Sequence, residues 1–521
     1  MKETLQVIQI GGVDWRESFS VPASVKWTFR TAECPEQPGE DEIREALSEK
    51  SNGRRKRPRS YDAVIVDGII DPAHIEFLLS LGAAYVYFFT ERAGSREVID
   101  ELVRRKFASP VREQEIKSFI QLLPIKYFNG QEGSKLKPAY IIPASRLESS
   151  LVTDGNRSVV IEGNFGKTMK AALFWKYNIM IRKDLPTELW LEYSKSEGVE
   201  IEFMVRLFRE GALCEPLWSK SYSEEDLQMP LLIADNRGGY LCCELLAKGR
   251  GRLEVGNLHF RKSRLSAGTF LAGGERHVFP GGEEFISYFD PGDLKPPLNV
   301  YFSGYRTAEG FEGYFIMKRM GAPFLLIGDP RLEGGGFYLG SPDYEQGIAD
   351  LIRGTLETLG FDNRQLVMSG LSMGTFGAAY YACDLLPHAV IIGKPLMSIG
   401  NVAANEKRIR PGGFPTSLDV LRSAEGGIDE GHIQKLNRRF WQRFDVADFS
   451  ATKFVISYMY QDDYDTTGYP DILRHLSGRR VALIGKGLEG RHNDNTSGVV
   501  SWFMSRYHSL MKEDFGREVK A

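Results

Sequence analysis

No stretch of this 521-residue chain is apolar for anything near the roughly 20 residues that a bilayer-spanning helix needs. A membrane span is therefore not expected. Cysteine is scarce: Cys34, Cys214, Cys242, Cys243 and Cys383 form an odd, scattered set with no metal-site spacing. Such a set suits a reducing compartment. The adjacent Cys242 and Cys243 fall in a strand-like run and are expected to pack rather than cycle redox states. An excess of one charge is also missing. Acidic residues number 69 and basic residues 66, and a net charge of -3 gives no electrostatic case for nucleic acid. The opening Met1-Lys2-Glu3-Thr4-Leu5 runs straight into a strand-like segment without a signal-peptide pattern, so the expected location is the cytoplasm. Gly11-Gly12 ends that segment without G-x-G-x-x-G spacing, and no dinucleotide site is expected there.

What the chain does contain is enough length for two to four domains. Residues 1–145 alternate strand-like runs (Leu5–Gly12, Tyr61–Gly68, Ala83–Phe89) with helical segments, the pattern of a small Rossmann-like parallel α/β unit. Within it, Ser51–Arg59 is a basic run, read as a solvated loop, with contact to acidic lipid or a partner protein as the alternative. Residues 146–284 change to short apolar alternations separated by Gly, Asp, Asn and Lys turns. This is the signature of an antiparallel β-sandwich. Its Trp175, Trp190, Trp218 and Tyr193 could stack on a sugar, as in a carbohydrate module, or simply fill the sandwich core. Residues 285–521 return to buried strands alternating with helices, with a charged insertion at 401–448 long enough to form a lid. The fold class expected is α/β, with a C-terminal doubly wound sheet of the α/β-hydrolase type.

The chemistry centres on Gly370-Leu371-Ser372-Met373-Gly374, between an apolar strand and a helical segment. This G-x-S-x-G setting is a nucleophile elbow, in which glycines permit a strained turn that exposes the serine hydroxyl at a helix N-terminus. Such a serine needs a neutral imidazole to take its proton, and the imidazole needs a carboxylate. The later strands supply both: Asp462-Asp463-Tyr464-Asp465 follows one, and Arg491-His492-Asn493 follows the next. The expected triad is Ser372, Asp462 and His492, with Asp463 left open as the acid. The oxyanion donors expected are the Met373 N–H and one from Ser303-Gly304-Tyr305-Arg306, where Gly304 lets the backbone approach and Tyr305 is the second donor. Arg306 either binds an anionic substrate group or forms a surface salt bridge. No metal site is expected.

Together, Phe302–Arg306, Gly328-Asp329-Pro330, Gly370–Gly377, Gln461–Asp465 and Arg491–Asn493 resemble the family of the second accessory secretory protein. This family is the acetyltransferase-like component of the accessory Sec system of Gram-positive bacteria. The resemblance implies O-acetylation of N-acetylglucosamine on serine-rich-repeat adhesins, with an acetyl donor as co-substrate and no resident cofactor. It implies companion accessory secretory proteins, a motor ATPase and recruitment to the inner membrane face at a dedicated translocon. A carbohydrate esterase with the same triad and a non-catalytic translocation scaffold remain as alternatives.

Overall fold

The computed structural model describes residues 4–37, 60–211 and 214–518; the basic run at 51–59 lies outside them. The chain forms two compact units, Met1–Gln131 with Ser263–Gly274, and Glu132–Lys262 with Glu275–Ala521. Among the described residues no helix is long and apolar enough to cross a membrane.

The first unit is a five-stranded parallel sheet. Strands β1 (Leu5–Gly11), β2 (Val25–Thr31), β3 (Ala63–Asp67), β4 (Tyr87–Phe89) and β5 (Ser109–Pro110) lie in the order β2-β1-β3-β4-β5. Helices α1 (Ile75–Ser80) and α2 (Arg96–Lys106) connect parallel neighbours, and α3 (Ile116–Lys126) follows β5. The middle strands are covered on both faces, which is why they read as unbroken apolar runs rather than alternating ones. At the sheet's C-terminal end the buried Asp67 carboxylate accepts from the Trp15 indole at 2.6 Å and the Thr90 hydroxyl at 2.5 Å. Ser263–Gly274 belongs here because the Arg264 guanidinium donates to the Lys126 and Gly130 carbonyls and lies over the Phe128 ring at 3.9 Å.

The second unit opens with ten antiparallel strands joined in one continuous sheet. They include β6 (Gly133–Leu136), β7 (Ser158–Trp175), β8 (Thr187–Lys195), β9 (Val199–Phe208) and β10 (Gly239–Lys262). Strand β10 is the spine, pairing with the other four. Register shifts near Leu245 and Gly249 interrupt its ladder with β7, and both halves of each long strand feed one core through Ile161, Leu173, Leu245 and Leu253. Along β9, Ile201, Phe203, Val205 and Leu207 are buried while the alternate residues are not, as a one-sided sheet requires. Trp175 (6% exposed) meets Phe203 edge-on in this core, and Trp190 (9%) is roofed by the Arg276 guanidinium at 4.1 Å. Neither presents a face to a sugar; of the two uses considered for them, packing is the one found. Trp218 spends its indole N–H on Asp235 at 3.0 Å, and Tyr193 is half-buried at the core's edge.

The same unit then builds an eight-stranded sheet from β11 (Gly274–Val278), β12 (Glu284–Asp290), β13 (Leu298–Phe302), β14 (Phe324–Gly328), β15 (Leu366–Leu371), β16 (Ala389–Gly393), β17 (Lys453–Met459) and β18 (Ala482–Leu488). The order is β11-β12-β14-β13-β15-β16-β17-β18, parallel from β14 onward and antiparallel between β12 and β14. Helices α4 (Tyr314–Met320), α5 (Pro342–Leu359), α6 (Met373–Leu385), α10 (Gly468–Leu476) and α11 (Thr496–Phe515) alternate with these strands. The insertion supplies α7 (Ile399–Arg408), α8 (Thr416–Glu425) and α9 (Glu430–Val446). Helix α6 is apolar all round and almost wholly buried, so it sits at the centre of this layer. This is the α/β-hydrolase-type architecture expected.

Phe203→Ala would open a cavity where the antiparallel core has no solvent access. The expected cost is about 3–5 kcal/mol, visible as a lower urea midpoint with an unchanged slope.

Candidate active site

Strand β15 hands over to α6 through a turn that only small residues allow. A Cβ on Gly370 would stand 2.4 Å from the Gly374 carbonyl oxygen, and one on Gly374 2.1 Å from that of Phe302. Between them Ser372 is held at φ 52°, ψ −120°, a left-handed conformation that L residues rarely adopt. Thr375, fully buried, locks the turn. Its hydroxyl donates to the Ser372 carbonyl at 2.5 Å and accepts the Leu396 N–H at 3.0 Å.

The half-buried Ser372 hydroxyl lies 2.8 Å from His492 Nε2, and His492 Nδ1 lies 2.8 Å from Asp462 Oδ2. With Asp462 accepting the Nδ1 proton, Nε2 is left as an acceptor for the serine proton. The other Asp462 oxygen accepts the N–H groups of Tyr464 at 2.9 Å and Asp465 at 3.2 Å, which fixes the carboxylate's aim. Asp463 faces elsewhere: it accepts the His492 backbone N–H at 3.1 Å and pairs with Arg410 at 3.2 Å. Of the two acids left open by the sequence, Asp462 is the one at the imidazole.

The N–H groups of Met373 and Tyr305 have no hydrogen-bond partner among the described residues, so both are free to donate. Gly304 is different: its N–H donates to Glu312 Oε2 at 2.7 Å. What Gly304 contributes is space, since a Cβ there would sit 3.0 Å from Glu312 and 3.2 Å from the Leu371 carbonyl. The Arg306 guanidinium donates to the Phe311 carbonyl at 2.7 Å and so closes its own loop.

The insertion braces the acid loop and, through Tyr464, the histidine. Asn405 donates to the Tyr464 carbonyl at 2.9 Å, and the Tyr464 hydroxyl donates to the Gly413 carbonyl at 3.1 Å. The Arg410 guanidinium lies 4.1 Å over the Tyr464 ring, whose centroid is 4.3 Å from that of His492. Phe414 stacks on Tyr464 and meets Tyr305 edge-on at 5.3 Å, leaving Tyr305 37% exposed at the mouth.

Two buried charged groups flank Asp462, and sequence reasoning missed one of them. Lys394, with φ 59° at the end of β16, donates to the Asp494 carbonyl at 2.9 Å and the Thr496 hydroxyl at 3.0 Å, tying the His492 loop down. Burial pushes its ammonium down from the usual lysine range, while Asp462 and Asp494 pull it back. Its place just after a sheet strand was the available signal. Burial raises Asp465 to about 7, although one of its oxygens accepts the Met397 and Ser398 N–H groups. Among the described residues no group of three or more His, Cys, Asp or Glu is disposed to hold a metal.

A serine, a histidine and a carboxylate joined in line at the strand-to-helix turn of a mostly parallel sheet define the α/β-hydrolase type. The chain matches the accessory Sec system GspB-transporter family over residues 5–517. It is 39% identical over 520 residues to an accessory Sec system protein of Staphylococcus aureus, covering 99% of this chain and 98% of that one. It is 35% identical over 519 residues to one of Streptococcus gordonii, covering 99% and 100%. Among solved structures it superposes with TM-score 0.86 at 37% identity on a chain of the glycosylation associate protein (Gap123) complex from Streptococcus agalactiae, covering 99% of this chain and 100% of that one. The chain belongs to the accessory Sec system GspB-transporter family and is a component of that system.

Asp465 gives a stability test. Its folded pKa stands above the unfolded value of roughly 3.9, so its contribution is fully present below that value and is lost as pH rises to about 7. Asp465→Asn is therefore expected to raise Tm relative to the parent protein by more at pH 8 than at pH 5, where only part of the contribution has been lost, measured by differential scanning calorimetry at both.

Proposed function

We propose that this protein is an O-acetyltransferase that acetylates N-acetylglucosamine on serine-rich-repeat adhesins during their export by the accessory Sec system. The observation that carries this reading is the unbroken line from Ser372 Oγ through His492 to Asp462, at 2.8 Å in each step. Family membership supplies the biological setting. In the first half-reaction the Ser372 oxygen attacks the donor's acetyl carbon and its proton passes to His492 Nε2. The oxyanion that forms is held by the N–H groups of Met373 and Tyr305, and the imidazolium is steadied by Asp462. His492 returns the proton to the leaving group, and acetyl-Ser372 remains. In the second half-reaction a sugar hydroxyl gives its proton to His492 and takes the acetyl group, freeing the serine.

The insertion supports transfer over hydrolysis in one respect: its Phe414 and Arg410 cover Tyr464, whose ring packs beside His492, and such cover would restrict water. The solved relative belongs to a multiprotein complex, which supports assembly of this chain with companion accessory secretory proteins. In that setting it acts on the cytoplasmic face of the membrane beside the motor ATPase and translocon. The acetyl donor is a co-substrate.

Mass spectrometry of the glycosylated adhesin from cells carrying Ser372→Ala tests the reading. Loss of sugar acetylation, with export and binding to the companion proteins retained, is the expected result. A gain of acetyl groups would make the protein an esterase, and unchanged acetylation would leave a scaffold.

A further inference from the structure

Between the antiparallel sheet and the loops around Ser372 lies a buried cluster of charges that the acyl chemistry does not use. Glu309 is its centre, on the loop that leaves β13 and carries Gly304 and Tyr305. Its carboxylate is 1% exposed and accepts from His259 Nδ1 at 2.5 Å and Arg261 Nε at 2.6 Å, both on β10, while its backbone N–H donates to the carbonyl of Gly133, the first residue of β6, at 3.0 Å. Lys135 of β6 stands 3.7 Å from the same carboxylate. Lys135 also reaches the neighbouring loop, donating to the carbonyls of Pro330 and of Leu332, the latter at 2.7 Å. The two loops then meet over the serine. The Arg306 N–H donates to the Gly334 carbonyl at 3.2 Å, Gly334 lies flat against the Tyr305 ring, and Gly335 against the Met373 side chain.

His259 is fully buried and both its nitrogens face carboxylates, Nδ1 toward Glu309 and Nε2 toward Glu192 of β8 at 2.8 Å. A neutral imidazole has one N–H and cannot donate to both, so the arrangement calls for the imidazolium. The groups facing it are Glu192, Glu309, Arg261 and Lys135, with Glu284 of β12 beyond them, bonded to Arg261 and Arg276. Burial opposes the charge on His259, and Glu309 and Glu192 together outweigh it and raise its pKa.

Resting on the acyl-transfer reading of Ser372, we propose that Glu309 and His259 are positioning residues. The antiparallel sheet grips the oxyanion loop through the His259 imidazolium, and loss of that proton as pH rises releases the loop and slows acylation. The sheet is then a working part of the acyl site as well as a neighbouring module.

The test uses the full-length protein with p-nitrophenyl acetate as acyl donor. The acylation burst is followed by stopped flow across pH 6 to 10, beside hydrogen–deuterium exchange of the peptide spanning 303–312. Removal of one oxyanion donor lowers rates by about 10²–10³-fold, and Glu309→Gln, which loosens a donor rather than deleting it, is expected to slow acylation about tenfold at fixed KM. Exchange in 303–312 should rise without a change across β15. Glu192→Gln touches His259 but not the loop. It is expected to leave the plateau rate unchanged and to move the alkaline fall in rate to lower pH. The proposal is overturned if 303–312 is equally protected in parent and Glu309→Gln, if Glu192→Gln leaves the alkaline limb in place, or if rates fall only with the folded fraction. Absence of any burst in the parent protein would instead sink the transferase reading, and loop protection would still report on the anchor.

Discussion

The carbonyl oxygen of Phe302 approaches the backbone at Gly374 so closely that no side chain fits between β13 and the start of α6. That approach, with the matching one at Gly370, forces Ser372 into its left-handed conformation and points its hydroxyl out of the sheet. Everything at the site follows from it. The helix begins one residue later, so the Met373 N–H is left without an intrahelical acceptor. The ends of β17 and β18 lie on the same side of the sheet, which brings the loops bearing Asp462 and His492 into line with the hydroxyl. Thr375 and Leu396 then tie the strained turn to the segment after β16.

Around this turn the protein spends its buried polarity on position. Charges taken out of water gain little net stability, because desolvation offsets most of their attraction. Lys394 and Asp465 nonetheless sit buried near Asp462, and His259, Arg261 and Glu284 sit buried with Glu309 of the loop that carries Tyr305. In each case the partners are backbone groups or side chains on different segments, so the return is geometric: the loops at the strand ends are held where the reacting groups must stand. The insertion follows the same logic. Arg410 and Phe414 reach the acid loop directly, so it works as a brace as well as a cover.

What was legible in the sequence was local. Unbroken apolar runs such as Phe324–Ile327 and Ala389–Ile392 announced buried parallel strands, and the alternation along Val199–Phe208 announced a one-sided sheet. The order serine, acid, histidine pointed to the three segments whose side chains the structure brings together. The choice of Asp462 over Asp463 needed the direction of two adjacent side chains, which one-residue spacing cannot give. Trp175 and Trp190 were ambiguous because an aromatic ring serves a core and a sugar equally well in composition. Lys394 carried one faint signal, a lysine directly after a buried strand. The cluster of Glu309, His259, Arg261 and Lys135 carried none, since its members are up to 174 positions apart and meet only once two sheets are built.

The central claim is that Ser372 is an activated nucleophile, and covalent capture asks this most directly. The purified protein would be incubated with a small fluorophosphonate and digested, and its peptides weighed. The account predicts a phosphonyl adduct on Ser372 alone, lost in His492→Ala, where the proton acceptor 2.8 Å away is removed. No adduct on Ser372, or equal labelling with and without the imidazole, would contradict it.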